Sequence, residues 1–184
     1  MSMKSQRGFT LIELLTVIAI IGILASIVLV NLTLAREKAR DARRVADVKN
    51  IQLALETFYS TNLYYPLNIY SDVLFHSSSY MQTIPYDPNS STVCTDGSQS
   101  SCYPYAALNS DGGGTSCTSN QASRYHLGAV MEANDAVTQD ADSAVDTSDT
   151  CTGSQVTDFN GAAASCVGTA AADGGADNCF DVTN

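Results

Sequence analysis

The hydrophobic pattern changes once along the chain. From Phe9 to Val30 apolar side chains run almost unbroken, and the one charged residue among them is Glu13. From Asn31 to about Ser60 the pattern is amphipathic. Ala35, Ala39, Ala42 and Ala46 recur at helical spacing, and so do Val48, Ile51, Leu55 and Phe58. Neither Gly nor Pro interrupts residues 23–65. One continuous helix is therefore predicted from about Thr10 to Thr61, roughly 78 Å long. Its apolar half spans about 33 Å, enough to cross a hydrocarbon layer of about 30 Å. Its second half would lay the Ile51, Leu55 and Phe58 stripe on a globular head, and charges alternate in sign through Arg36-Glu37-Lys38 and Arg40-Asp41.

Pro66 forces extended backbone before it and ends the helix at Asn62–Tyr65. Ser71 or Asp72 is placed to cap a short second helix to about Met81. Three stretches then read as strands: residues 101–108, 124–132 and 179–183. Pro104 assigns the first of these to a sheet edge. Polar turns such as Asn109–Gly114 separate them. Short antiparallel strands packed on the long helix give an α+β fold.

A charge embedded in an apolar helix costs at least about 2.5 kcal/mol on insertion scales, so Glu13 calls for a partner and a purpose. Charge is also distributed unevenly. Residues 1–49 carry eight Lys or Arg against four acids, net +4; residues 50–184 carry Arg124 alone against fifteen acids, net −14. The acidic part excludes generic nucleic-acid binding, which needs cations for the phosphates. All six cysteines follow residue 90, which suits an oxidising compartment. Cys94 with Cys102 is the first expected disulfide, closing a turn around Asp96 and Gly97. Cys117 with Cys151 and Cys166 with Cys179 are the remaining expected pairs. Residues 133–178 hold one aromatic, Phe159, and bury little by themselves, so these bridges would supply their order.

Lys4-Ser5-Gln6-Arg7-Gly8 followed by Phe9-Thr10-Leu11-Ile12-Glu13 resembles the prepilin signal of type IV pilins and type II secretion pseudopilins. A basic leader ends in Gly, Phe follows, Glu lies five residues beyond the Gly, and an apolar helix continues. The resemblance covers roughly residues 4–60. It implies cleavage after Gly8 by a membrane-embedded prepilin peptidase, N-methylation of Phe9, and polymerisation with Glu13 paired to the Phe9 amine of a neighbour. Tyr80-Met81-Gln82-Thr83-Ile84-Pro85-Tyr86-Asp87-Pro88 resembles the Pro-framed segment after the long helix in many members. Many pilins carry Pro where this chain has Val30, so the usual cause of a helix kink is absent here.

The resemblance divides the chain into a leader (1–8), a transmembrane or filament-core half-helix (9–30), an amphipathic half (31–61) and an extracytoplasmic head (62–184). Lys and Arg near the span are more numerous on its C-terminal side, which by itself would place that side inside. The cysteines and the family pattern place the head outside. Gly22 admits two accounts, an indifferent small residue or one that lets a neighbouring helix approach.

No nucleophile motif, phosphate loop or metalloprotease helix is present, and no enzyme activity is expected. His76 and His126 stand outside any motif. No cofactor or resident metal is expected, although Asp140, Asp142, Asp146, Asp149, Asp173 and Asp177 could offer oxygen ligands to calcium, as in some major pseudopilins. The functional expectation is a structural subunit of a type IV pilus or related filament. Its partners would be copies of itself, the prepilin peptidase, the pilus assembly platform and the membrane. The precursor would be a single-pass protein of the bacterial cytoplasmic membrane, and the mature form would lie in an extracellular pilus or periplasmic pseudopilus. A type II secretion pseudopilin is the alternative, and a membrane-anchored extracellular binding domain the third reading.

Overall fold

The computed structural model describes residues 8–77, 79–95, 97, 101–109, 122–132, 150–151, 154–155 and 179–184. It divides into two compact units, one up to Glu37 and one from Lys38 onward. Among the described residues, a single helix, α1 (Leu11–Asn62), and three strands, β1 (Tyr105–Leu108), β2 (Arg124–Val130) and β3 (Cys179–Thr183), make up the regular structure. The α+β class follows as the sequence predicts.

In the first unit every described side chain from Gly8 to Leu29 is exposed. In the second, α1 buries Val48, Ile51, Ala54, Leu55 and Phe58. These positions fall on one helical stripe because residues three and four apart share a face. Around them pack Tyr65, Ile69, Phe75, Tyr105, Tyr125, Leu127 and Phe180. Phe58 is ringed edge-on by Tyr64, Phe75 and Tyr80, with ring centroids 5.5, 5.7 and 5.0 Å away. The alanines of the second stripe, Ala35, Ala39, Ala42 and Ala46, lie exposed.

The sheet is antiparallel, in the order β1-β2-β3. Its register sets Tyr105 against Leu127 and Leu127 against Val182. Tyr125, Leu127 and Ala129 are fully buried, and the Tyr125 hydroxyl donates to Glu56 of α1 at 3.1 Å. Two more phenols reach the helix: Tyr103 donates to Asp47 at 2.9 Å and Tyr65 to Glu56 at 3.2 Å. Beyond β1, the Cys151 amide donates to the Ala107 carbonyl at 2.9 Å and the Ser154 hydroxyl accepts from the Ala107 amide at 2.9 Å. The sheet edge is thereby covered against pairing with another chain.

The expected short helix at 71–81 is replaced by turns. Asp72 accepts from the amides of Leu74 and Phe75 at 2.9 and 3.0 Å, as an N-cap does. The His76 amide then bonds the Asp72 carbonyl at 3.1 Å, and no helix propagates from that turn. The Ser77 hydroxyl instead accepts from the Ser79 amide at 3.4 Å. Strands β1 and β2 are shorter than expected, at 105–108 and 124–130, and Pro104 precedes the first.

Cys94 and Cys102 form the expected disulfide, with Cα atoms 5.1 Å apart. Gly97 within that loop has φ 86°, and a Cβ there would lie 2.6 Å from Cγ of Gln155. Both facts require glycine. Cys151 and Cys179 are disulfide-bonded as well. Cys117 and Cys166, their expected partners, lie outside the described residues, as do Asp140, Asp142, Asp146, Asp149, Asp173 and Asp177.

Candidate functional site

The N-terminal site is built by a cap. Thr10 precedes the first helical residue, and its carbonyl accepts the first helical bond, from the Leu14 amide at 3.3 Å. The Glu13 amide donates to the Thr10 hydroxyl oxygen at 3.3 Å. In return, Glu13 Oε2 accepts from the Thr10 amide at 2.8 Å and from the Thr10 hydroxyl at 2.7 Å. This is a reciprocal capping box, and its Thr-x-x-Glu spacing was legible in the sequence. A carboxylate in the first turn also meets the positive end of the helix dipole. Gly8 and Phe9 lie outside the helix, and Phe9 is 81% exposed.

From Leu11 to Leu29 the helix presents apolar side chains on every side. A surface that wide and that apolar needs lipid or other helices around it. It is long and apolar enough to cross a membrane. A Cβ added to Gly22 would meet nothing within 4 Å, so nothing within the chain requires glycine there.

A second cluster, which the sequence pattern does not single out, lies where α1 meets the head. The buried stripe of α1 continues toward the N-terminus through Arg44 and Asp41, both buried. The Arg44 guanidinium donates to both oxygens of Asp87, at 2.7 and 2.8 Å, and to Asp41 at 2.5 Å. Its Nη2 also lies 2.6 Å from Glu132. Arg40 forks onto the same Glu132, with Nε 2.8 Å from Oε1. The Glu132 amide donates to Asp41 at 3.0 Å. Burial alone would lower the Arg44 pKa, but the bonds to Asp87, Glu132 and Asp41 outweigh it and raise the pKa above the ordinary arginine value. Hydrogen bonds from Arg40, joined by Arg44, outweigh the desolvation of Glu132 and hold its pKa down to about 2. The one sequence signal for this cluster was the spacing itself: 41 and 44 continue the series 48, 51, 55, 58.

His126 and Asp181 form a fully buried pair between β2 and β3. They are 55 residues apart, and nothing local announces the contact. Among the described residues no group of three or more His, Cys, Asp or Glu is placed to hold a metal ion.

Residues 3–29 match the family model described as the prokaryotic N-terminal methylation motif. The chain is similar to type II secretion system core protein G of Aeromonas hydrophila, 34% identical over 101 residues, covering 48% of this chain and 71% of that protein. It is also similar to the protein of the same name from Escherichia coli, 46% identical over 61 residues, covering 33% of this chain and 42% of that one. The type IV wide pilus major component PilA4 of Thermus thermophilus is 59% identical over 39 residues, 21% of this chain and 30% of its own. The match thus spans less than half the length of the Escherichia coli relative. No solved structure matches.

Proposed function

The chain belongs to the pilin and pseudopilin family represented by type II secretion system core protein G, and from that premise we propose that it is a structural subunit of a type IV pilus or related helical filament. The observation that carries this reading is the apolar half of α1, exposed on all sides and bearing one acid at its very start. In the precursor, lipid surrounds that half; in the filament, the same half-helices of other copies do. A heterologous contact of this kind does not close and generates a fibre.

Cleavage by prepilin peptidase after Gly8 frees the Phe9 amine, and methylation leaves it able to carry its charge. Glu13 pairs with that amine on a neighbouring copy, which offsets the cost of its own burial and sets the axial register. Both capping bonds fall on Oε2 of Glu13, so the pairing can use Oε1 without dismantling the cap. The role is structural and requires no catalytic residue. The structural role needs no metal at the acids between Asp140 and Asp177. Calcium binding there is the alternative, and a calcium-dependent shift in unfolding temperature would reveal it.

A second reading, a type II secretion pseudopilus, is favoured by the Aeromonas hydrophila relative. That match covers 48% of the 184-residue chain, more than the stretch that ends with α1 at Asn62, and so takes in part of the head. The two readings differ in whether long fibres appear at the cell surface or whether deletion blocks secretion of exoproteins.

The intact mass of the protein purified from membranes tests the shared core. Loss of residues 1–8 with one methyl added is expected. A mass that retains the leader would sink the proposal. In parallel, Glu13→Ala should insert in the membrane yet give few filaments, and normal filament yield would remove the role assigned to Glu13.

A further inference from the structure

The first helical bond of α1 accepts at the Thr10 carbonyl, so the carbonyls of Gly8 and Phe9 lie outside the helical bond pattern. The helix starts two residues beyond the Gly8–Phe9 bond because the Thr10–Glu13 box stops it there. The bond is also open to approach: Phe9 is exposed, and a Cβ placed on Gly8 would touch nothing within 4 Å.

We propose that Thr10 is a positioning residue for cleavage of the Gly8–Phe9 bond, acting through the cap that keeps this bond in non-helical backbone. The inference rests on the filament-subunit reading above. Hydrolysis adds one water across the amide. The water oxygen bonds to the Gly8 carbonyl carbon, the C–N bond breaks, and the leader leaves as a carboxylate. The Phe9 nitrogen leaves as an ammonium, taking one proton from the water and one shed by the new carboxyl group. Such an attack needs the Gly8 carbonyl free to be polarised by the enzyme. An extended substrate strand offers its backbone groups to an enzyme in this way. Inside a helix the same carbonyl would accept the amide four residues on and point along the helix axis.

Without the cap, nothing at Thr10 stops the helix. In an apolar surrounding each further internal backbone bond is favoured. The nearest upstream residues of capping type are Gly8 and Ser5. A helix that starts at either one takes in the Gly8–Phe9 bond.

The test uses the full-length chain in detergent micelles with purified prepilin peptidase, cleavage being followed by mass spectrometry. Thr10→Val keeps the shape and removes the hydroxyl; Thr10→Ser keeps the hydroxyl. Cleavage of Thr10→Val should slow by about fivefold to tenfold, the rate equivalent of one lost cap. Thr10→Ser should restore the rate. Backbone chemical shifts in the same micelles should move Phe9 from non-helical to helical in Thr10→Val and leave it non-helical in Thr10→Ser. Normal cleavage of Thr10→Val, or slow cleavage with Phe9 still non-helical, would overturn the inference and leave the filament reading standing. A parent chain that the peptidase does not cut at all would overturn both.

Discussion

Arg44 grips Asp87 with two parallel bonds, Nε to Oδ2 at 2.7 Å and Nη2 to Oδ1 at 2.8 Å. Arg44 lies on α1, and Asp87 lies between Pro85 and Pro88 and opens a turn closed by the Ser90 amide on its carbonyl at 3.1 Å. The contact therefore fastens the turn to the helix and gives the Asp of that segment a physical task. The same carboxylate accepts from the Asn89 amide at 2.7 Å, which shapes the turn itself. A planar guanidinium suits this fork; an ammonium does not.

Removing Arg44 should destabilise the head severely. Arg44→Ala leaves Asp41, Asp87 and Glu132 gathered around an empty site with Arg40 as the one remaining cation of the cluster. Breaking a buried ionic cluster from one side costs about 3–5 kcal/mol. Thermal unfolding of the full chain in detergent, followed by near-ultraviolet dichroism of the tyrosines, should show the loss. Arg44→Lys should recover only part of it, and full recovery would show that charge alone suffices.

Acid should loosen the same seam. The Glu132 pKa is held down to about 2, first by hydrogen bonds from Arg40 and then by Arg44. A carboxylate whose folded pKa is depressed stabilises the fold above its unfolded pKa, about 4.3. That contribution fades as pH falls from there toward about 2. It amounts to roughly 1–2 kcal/mol after screening of a partly exposed site. Glu132→Gln should be less stable than the parent at neutral pH and should flatten the stability profile between the two values. A parallel, merely lowered profile would assign the acid sensitivity elsewhere.

Leu63 should be improvable. It ends α1 with φ 65°, and its amide bonds the Tyr59 carbonyl at 2.8 Å. This is a left-handed helix cap in which glycine is the usual residue. A side chain in that conformation costs about 1–2 kcal/mol, and Leu63 is 76% exposed, so its packing returns little. Leu63→Gly is expected to raise stability by about 1 kcal/mol. A drop in the unfolding midpoint would show that the leucine makes a contact that outweighs the strain.

Gly22 separates the single chain from the assembly. Within the chain a methyl group fits freely, and Ala is favoured over Gly in a helix by about 1 kcal/mol. Gly22→Ala should therefore leave membrane insertion and helix content unchanged or improved. Filament yield should fall if neighbouring helices close on that point. Unchanged yield would make the glycine an indifferent small residue. Electron microscopy of sheared fibres gives the readout.

The sequence by itself determined the features that depend on neighbours along the chain. The apolar run, the lone Glu13, the helix through Asn62, the Val48–Phe58 stripe, the three strands and the Cys94–Cys102 bridge all follow from local pattern and short spacing. The Thr10–Glu13 cap went unread there, although its signal is local, because a cap is set by residues three apart. The tertiary structure decided where charges are buried. The local pattern of Arg40, Asp41 and Arg44 cannot announce burial, because burying a charge without a partner is prohibitive. Their partners come from 43 and 92 residues away, in Asp87 and Glu132. His126 and Asp181 meet only because β2 and β3 pair in their particular register. The expected helix at 71–81 fails for the complementary reason. Its cap is present, but the backbone that follows is committed to turns, and capping cannot extend a helix that the chain does not propagate.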